Sequence, residues 1–154
     1  MKTVHELMNE RFSRVKGRLR VRVLDAATGE QLGPTHDVPN LVVDAGRELM
    51  AILGVAALSH VAVGTSNVAA DPADVLPLVD QFLKPLADKT QAEQAVTCEF
   101  EVAADEYNGN TVREFGLVYR PQAGPDRLFA RRVFAEGFSK TADVRLVGTW
   151  TITF

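Results

Sequence analysis

The stretch that decides the fold lies at the end of the chain, where residues 140–154 read KTADVRLVGTWTITF. From Ala142 to Phe154 every second residue is apolar or glycine, and threonines occupy positions 149, 151 and 153 between them. A period of two places these sets on opposite faces of a β-strand. The stretch therefore predicts a long strand whose apolar face, with Trp150 at its centre, is covered either within the subunit or at a subunit interface.

The same alternation recurs along the chain. In GRLRVRVLD (17–25), leucine and valine face one way and Arg18, Arg20 and Arg22 face the other. Asn108-Gly109 is a strong hairpin signal. Turn residues separate the remaining apolar runs. Further strands are predicted at 31–38, 60–66, 96–102, 112–120 and 128–134.

The arginine row of the first strand allows two interpretations. It indicates either a solvated strand face or a nucleic-acid face. Acidic residues are plentiful elsewhere in the chain, and no aromatic residues stand among the arginines to stack on bases. The pattern therefore favours the solvated face.

Two other segments depart from strand patterning. Residues 45–53 predict one main helix, capped by Asp44 and ended by Gly54. Residues 67–93 contain three prolines and predict a loop with one or two short helical turns. A long loop in a compact domain is often a binding element.

The first fifteen residues, MKTVHELMNERFSRV, have apolar residues at helical spacing. Thr3 and Glu6 fit a capping box. The segment is therefore predicted to be a short helical arm. It packs either on its own domain or on a neighbouring subunit.

Together these patterns predict a mainly β protein, an antiparallel β-sandwich with one main helix and a short N-terminal helical arm. The 154 residues fit one domain of ordinary size, so the expected organisation is an arm at 1–15 and a single β-sandwich domain at 16–154. The net charge of −3 predicts no general affinity for nucleic acid or for an anionic membrane. No apolar run approaches the roughly 18 residues of a membrane helix.

Residues that carry chemistry are scattered. His5, His36 and His60 do not lie at ligand spacing, and Cys98 falls on an apolar strand face, which indicates a buried structural thiol. Glu114, beside Arg113 in a core strand, indicates a structural ion pair. Acidic and amide residues at 105, 106, 108 and 110 indicate either a solvated hairpin tip or a weak cation site. We therefore expect no catalytic residue, no metal, no cofactor and no enzymatic activity.

Several stretches in a fixed order carry a family resemblance. They are NLVVDAG (40–46), HVAVGTS (60–66), an Asp-Pro-Ala segment (71–73), REFGLVY (113–119), LFARRVF (128–134) and KTADVRLVGTWTITF (140–154). This series resembles virion proteins of tailed phages, in particular the tail-proximal modules of tail-fibre and baseplate-associated proteins, and similar sequences occur in phage-like contractile particles. The resemblance implies a β-rich attachment module that is usually oligomeric and has no catalytic role. It covers about 40–154.

From this resemblance we expect a structural virion protein, assembled in the host cytoplasm, that acts through protein–protein contacts in a tail, baseplate or fibre attachment. The chain ends without a fibre shaft, which favours an adaptor or collar. The expected partners are other virion proteins and further copies of the chain. A capsid decoration or head–tail joining protein and a glycan-binding β-sandwich, for which Tyr107 would supply the aromatic residue, are the alternatives. The residues expected at the interfaces are Val4, Leu7, Met8, Phe12, Leu76, Phe82 and Leu83.

Overall fold

The structure, a computed structural model, describes residues 16–45, 57–92 and 95–153. These residues form nine β-strands in one sheet in which every pairing is antiparallel. The strands are β1 (Lys16–Asp25), β2 (His36–Val42), β3 (His60–Gly64), β4 (Phe82–Pro85), β5 (Asp88–Ala92), β6 (Ala95–Val102), β7 (Thr111–Tyr119), β8 (Arg127–Ser139) and β9 (Val144–Thr153). Their order across the sheet is β4-β3-β7-β8-β2-β1-β9-β6-β5. No helix in the described ranges is long and apolar enough to cross a membrane.

The sheet curls into a half-barrel, because the strands at its two ends are joined by a short link. Only Leu86 and Ala87 separate β4 from β5. Since an extended chain advances at most about 3.6 Å per residue, these strand ends lie within roughly 11 Å of each other. The link is held from both sides: Leu86 N donates to Ser59 O at 2.9 Å, and Ala87 N donates to Glu99 O at 2.7 Å.

Strand β2 connects the two halves of the sheet. Its residues 36–40 pair with β1, and Leu41 and Val42 pair with β8. We call β1, β9, β6 and β5 the β1 half, and β8, β7, β3 and β4 the β7 half. The change of partner within one strand lets the chain turn from one half into the other.

The core lies on the concave face. Leu146, Trp150 and Ile152 of β9 are fully buried, so the predicted apolar face is covered within the subunit. The ring of Phe100 in β6 lies 5.7 Å from that of Phe115 in β7, so side chains of the two halves meet.

Two close contacts set the packing of β9. The ring of Phe100 covers Gly148, where an added Cβ would lie 2.0 Å from Phe100 Cζ. Trp150 Nε1 donates a 3.0 Å hydrogen bond to Asn40 Oδ1, which satisfies the buried indole N–H. The strand predicted at 142–154 is therefore β9, which lies between β1 and β6 in the β1 half.

The prediction of a mainly β, antiparallel protein is confirmed. The main helix predicted at 45–53 is not seen in the described part of the chain: Asp44 and Ala45 have helical conformation, and 46–53 lie outside the described residues. The predicted arm at 1–15 lies outside them as well.

Two boundary predictions were wrong. The segment 67–93 is not one loop, because its second part forms β4 and β5 and its first part contains turns rather than helix. The prediction placed Pro85 in a loop because proline has no backbone N–H to donate. At the end of an edge strand, this missing donor breaks no hydrogen bond of the sheet. The strand expected at 31–38 runs instead from His36 to Val42, and Gln31 forms only an isolated bridge with Leu24.

Candidate functional site: the loop between β3 and β4

The loop at residues 65–81, which joins β3 to β4, is anchored to the sheet by two buried charged side chains. Glu114 of β7 is 1% exposed, and Arg131 of β8 is 5% exposed. Strands β7 and β8 are neighbours in the sheet, so both side chains reach the same loop. A buried charge is stable only when it is paired and hydrogen-bonded. The partners of Glu114 and Arg131 therefore determine how the loop is held.

Glu114 uses both carboxylate oxygens. Its Oε1 accepts hydrogen bonds from the backbone N–H groups of Ser66 and Val79, each at 3.1 Å. Its Oε2 accepts two hydrogen bonds from the guanidinium of Arg131, from Nε at 2.9 Å and from Nη2 at 2.7 Å. One side chain thus ties the beginning and the end of the loop to the same point.

Arg131 extends the network to the middle of the loop. Its Nη1 donates to Asp74 Oδ2 at 2.7 Å, and its Nη2 donates to Val68 O at 3.2 Å. Burial alone would lower the pKa of Arg131, but the hydrogen bonds from its guanidinium to Glu114 and Asp74, together with their charges, raise it. The guanidinium therefore remains charged and the loop remains fixed.

The ion pair expected at Glu114 is present, but with Arg131 rather than Arg113. Arg113 lies where the register between β7 and β8 shifts, between Val112 and Glu114, and its guanidinium is bonded elsewhere. Arg113 Nη1 donates instead to Ala135 O at 2.5 Å.

The anchored loop presents apolar side chains to solvent. Val68 and Val75 are each 68% exposed and Val79 is 55% exposed. We call these three residues the loop valines. Each is held by the network or adjoins a residue that is: Val68 O and Val79 N bond to Arg131 and Glu114, and Val75 follows Asp74. The loop therefore combines a fixed backbone with exposed apolar groups.

Three of the predicted interface residues, Leu76, Phe82 and Leu83, lie in or directly after this loop and are less exposed than the loop valines. Leu76 and Leu83 are half-buried against a small cluster of Ala62, Leu78 and Val118. Phe82 packs on the main core. The other four, Val4, Leu7, Met8 and Phe12, lie outside the described residues. No local sequence pattern sets the loop valines apart from these neighbours.

One face of the Tyr107 ring is covered by its own chain. The ring stacks on Phe82 with a centroid distance of 5.6 Å, and its hydroxyl donates to Asp80 O at 2.5 Å. A sugar could therefore stack only on the opposite face of this ring.

The hairpin after β6 holds an ammonium group where the sequence suggested a weak cation site. Lys140 is fully buried, and its Nζ donates to Asn108 Oδ1 at 2.7 Å and to Ala104 O at 3.2 Å. Glu106 is bound to Lys84 Nζ at 2.5 Å. Among residues 16–45, 57–92 and 95–153, no group of three or more His, Cys, Asp or Glu side chains could hold a metal ion.

The remaining candidates for chemistry are weak nucleophiles or bases. Burial raises the pKa of the Cys98 thiol to about 11, so the side chain is a neutral thiol at physiological pH. His60 Nδ1 lies 2.8 Å from the hydroxyl of the adjacent Ser59, and burial, with Arg120 nearby, lowers the pKa of His60. Ser59 Oγ also accepts a hydrogen bond from Arg120 N at 3.0 Å, which ties this hydroxyl to the backbone of the β7 half.

Comparisons with protein-family models, with curated proteins and with solved structures found no match for this chain.

Proposed function

We propose that the chain is a structural protein of a tailed-phage virion or phage-like particle. It acts as a non-enzymatic attachment module of the tail, baseplate or fibre, and its partners are other virion subunits. The proposal rests on the order of sequence stretches that resemble such proteins and on one structural observation, the loop valines on an anchored loop.

The loop valines suit a protein partner for a physical reason. Docking costs less conformational entropy when the contacting segment is already ordered, and the Glu114–Arg131 network orders this loop before any partner arrives. Apolar side chains at such a position lose unfavourable contact with water when a partner covers them. The interface is expected to include the neighbouring, half-buried Leu76 and Leu83 at its edge.

We also infer that the two halves of the sheet act as the two layers of a β-sandwich. The contact between Phe100 and Phe115 supports this, as does the change of partner within β2. In such an arrangement the layers give a rigid body from which the loop projects.

The test is incorporation into particles. A triple variant, Val68→Asp/Val75→Asp/Val79→Asp, should fold as the natural chain does, because all three side chains are exposed, yet its copy number in gradient-purified particles should fall about tenfold or more. Leu32→Asp is the matched control, since Leu32 is 44% exposed and lies outside the loop. Equal incorporation of the triple variant and the natural chain would refute the role of the loop valines.

A further inference from the structure

The exposed part of the β3–β4 loop carries charge of one sign only. Residues 65–81 contain three aspartates and no lysine, arginine or histidine. Asp74 is bound to Arg131 at 2.7 Å, whereas Asp71 and Asp80 are exposed and have no ion-pair partner within the described part of the chain. Two unpaired carboxylates therefore remain at the surface of a loop that is otherwise uncharged.

Each exposed carboxylate lies beside a loop valine. Asp80 directly follows Val79 in the chain. Asp71 N donates to Asp74 Oδ2 at 2.8 Å, and Asp74 directly precedes Val75. Negative charge therefore borders the exposed apolar groups of the loop, and a partner that covers the valines also meets the carboxylates.

The cations beside the loop do not cancel this charge. Arg131 and Arg132 line the groove between β8 and the first part of the loop. The three aspartates of the loop and Glu114 outnumber these two arginines, so two net negative charges remain. Beyond the end of the loop, Lys84 and Glu106 form an ion pair and cancel each other. The loop therefore presents a negative potential to an approaching partner.

We propose that the partner of the loop valines is a different protein subunit, whose docking surface has an apolar centre bordered by lysine or arginine side chains. This inference rests on the proposed function and names the chemistry of the partner at that same surface. Apolar contact supplies most of the affinity, since exposed ion pairs add little to stability. The charges steer the approach and exclude surfaces that are themselves negative.

A second copy of the chain does not fit this surface. Its arginine row on β1, Arg18, Arg20 and Arg22, has the complementary sign, but Asp37 already binds two of these arginines. Within the described residues, the only large apolar side chain exposed outside the loop is Leu32. The described part of a second copy therefore offers no apolar centre for the loop valines.

The test is competition for places in the particle. The natural chain and a variant are produced in equal amounts in the same cells, and quantitative mass spectrometry measures their ratio in gradient-purified particles. Asp71→Asn/Asp80→Asn removes only the charge, because asparagine can still accept the hydrogen bond from Ala73 N and tolerates the left-handed backbone at position 80, where φ is 50°. Asp71→Lys/Asp80→Lys reverses the charge.

Glu30→Lys/Glu136→Lys is the matched control, since both glutamates are exposed, lie outside the loop and give the same change of net charge as the lysine variant. Circular dichroism and Trp150 fluorescence show that each variant folds. If the lysine variant does not fold, the asparagine variant decides the test.

We expect the asparagine variant to be under-represented about fivefold in particles, because two ion pairs at the border are lost. The lysine variant should be under-represented about 50-fold or more, because like charges then meet across the interface. The control should enter particles as often as the natural chain.

Equal incorporation of the asparagine and lysine variants, together with exclusion of the triple valine variant, would overturn the basic border and leave the proposed function standing. Equal incorporation of the triple valine variant would count against the proposed role of the loop itself. A control that is excluded as strongly as the lysine variant would show that net charge alone is responsible. Self-association of the free natural chain that is lost in the asparagine variant would assign the surface to a second copy instead. Each of these last two results would also overturn the proposal.

Discussion

Three buried charged side chains, Glu114, Arg131 and Lys140, hold loops in place: the first two connect a loop to the sheet, and Lys140 connects two neighbouring loops. Their partners are mostly backbone groups of the loops: Ser66 N and Val79 N for Glu114, Val68 O for Arg131, and Ala104 O for Lys140. A neutral side chain at these positions would leave buried polar groups without partners, at a cost of about 1–3 kcal/mol for each group. At the scale of single residues, the buried charges of the described residues fix the positions of loops.

Replacement of Gly148 by alanine should destabilise the protein by about 1–3 kcal/mol, the usual cost of overpacking a core. The new Cβ would meet the ring of Phe100, which is itself buried and packed on Phe115. Denaturant unfolding followed by Trp150 fluorescence measures the loss. The double variant Gly148→Ala/Phe100→Leu should be less destabilised than the sum of the two single variants, because the shorter side chain relieves the clash. Strict additivity would contradict this account.

Glu106 makes stability depend on pH. Burial alone would raise the pKa of Glu106, but hydrogen bonds from Lys84 and from the backbone N–H of Ala103 outweigh it, so the pKa lies below its ordinary value of 4.5. The unfolded chain then binds the proton more tightly than the folded chain. The stabilisation by Glu106 is therefore complete above about pH 4.5 and is lost as the pH falls through the lower, folded-state pKa.

Glu106→Gln should accordingly lower the free energy of unfolding by about 1.5–3 kcal/mol at pH 7, the contribution of a charged hydrogen bond. The difference between Glu106→Gln and the natural chain should shrink as the pH is lowered below 4.5. Chemical denaturation at a series of pH values measures it. A difference that stays constant from neutral to acid pH would show that the Lys84–Glu106 pair does not set the pKa of Glu106.

At the scale of elements, the position of the β3–β4 loop depends on the carboxylate of Glu114. Glu114→Gln removes the charge that offsets Arg131 and should cost about 3–5 kcal/mol, as is typical when one member of a buried ion pair is lost. The loop should also become sensitive to proteolysis within residues 65–81, because both of its ends bond to Glu114. Glu136→Gln, the same change at an exposed position of β8, is the control and should have little effect. A protected loop in the Glu114 variant would contradict the anchoring role.

Strand patterning predicted the elements whose faces differ in polarity. The alternation in 17–25, 96–102 and 142–154 corresponds to β1, β6 and β9, because one face of each is buried and the other is solvated. The edge strands β4 and β5 were missed, since each has four or five residues and β4 ends in a proline. Short edge strands carry little periodic signal, and their place in the sheet depends on distant partners.

The candidate site was predictable only in part. The ion pair at Glu114 was foreseen, but its partner Arg131 is 17 residues away on a neighbouring strand, and no local pattern joins the two. A loop was predicted at 67–93 as a binding element; its first part lies in the loop at 65–81, and its binding role is the one proposed above. Which of its apolar residues face solvent depends on the position of the loop over the β7 half.

At the scale of the whole molecule, the curled sheet gives one body whose two halves meet across a shared core. The loop valines belong to the β7 half, because the loop that carries them is bonded to Glu114 of β7 and to Arg131 of β8. Under the proposed function, a neighbouring virion subunit covers this loop.

The most direct test of the virion role is to locate the natural chain after particles are purified by density gradient, with quantitative mass spectrometry and immunogold labelling. The account predicts that the chain sediments with the particles at a fixed ratio to the tail proteins, and that the label lies on the tail or baseplate. A chain found only in the soluble fraction would contradict the account, and label confined to the head would support the capsid decoration alternative in its place.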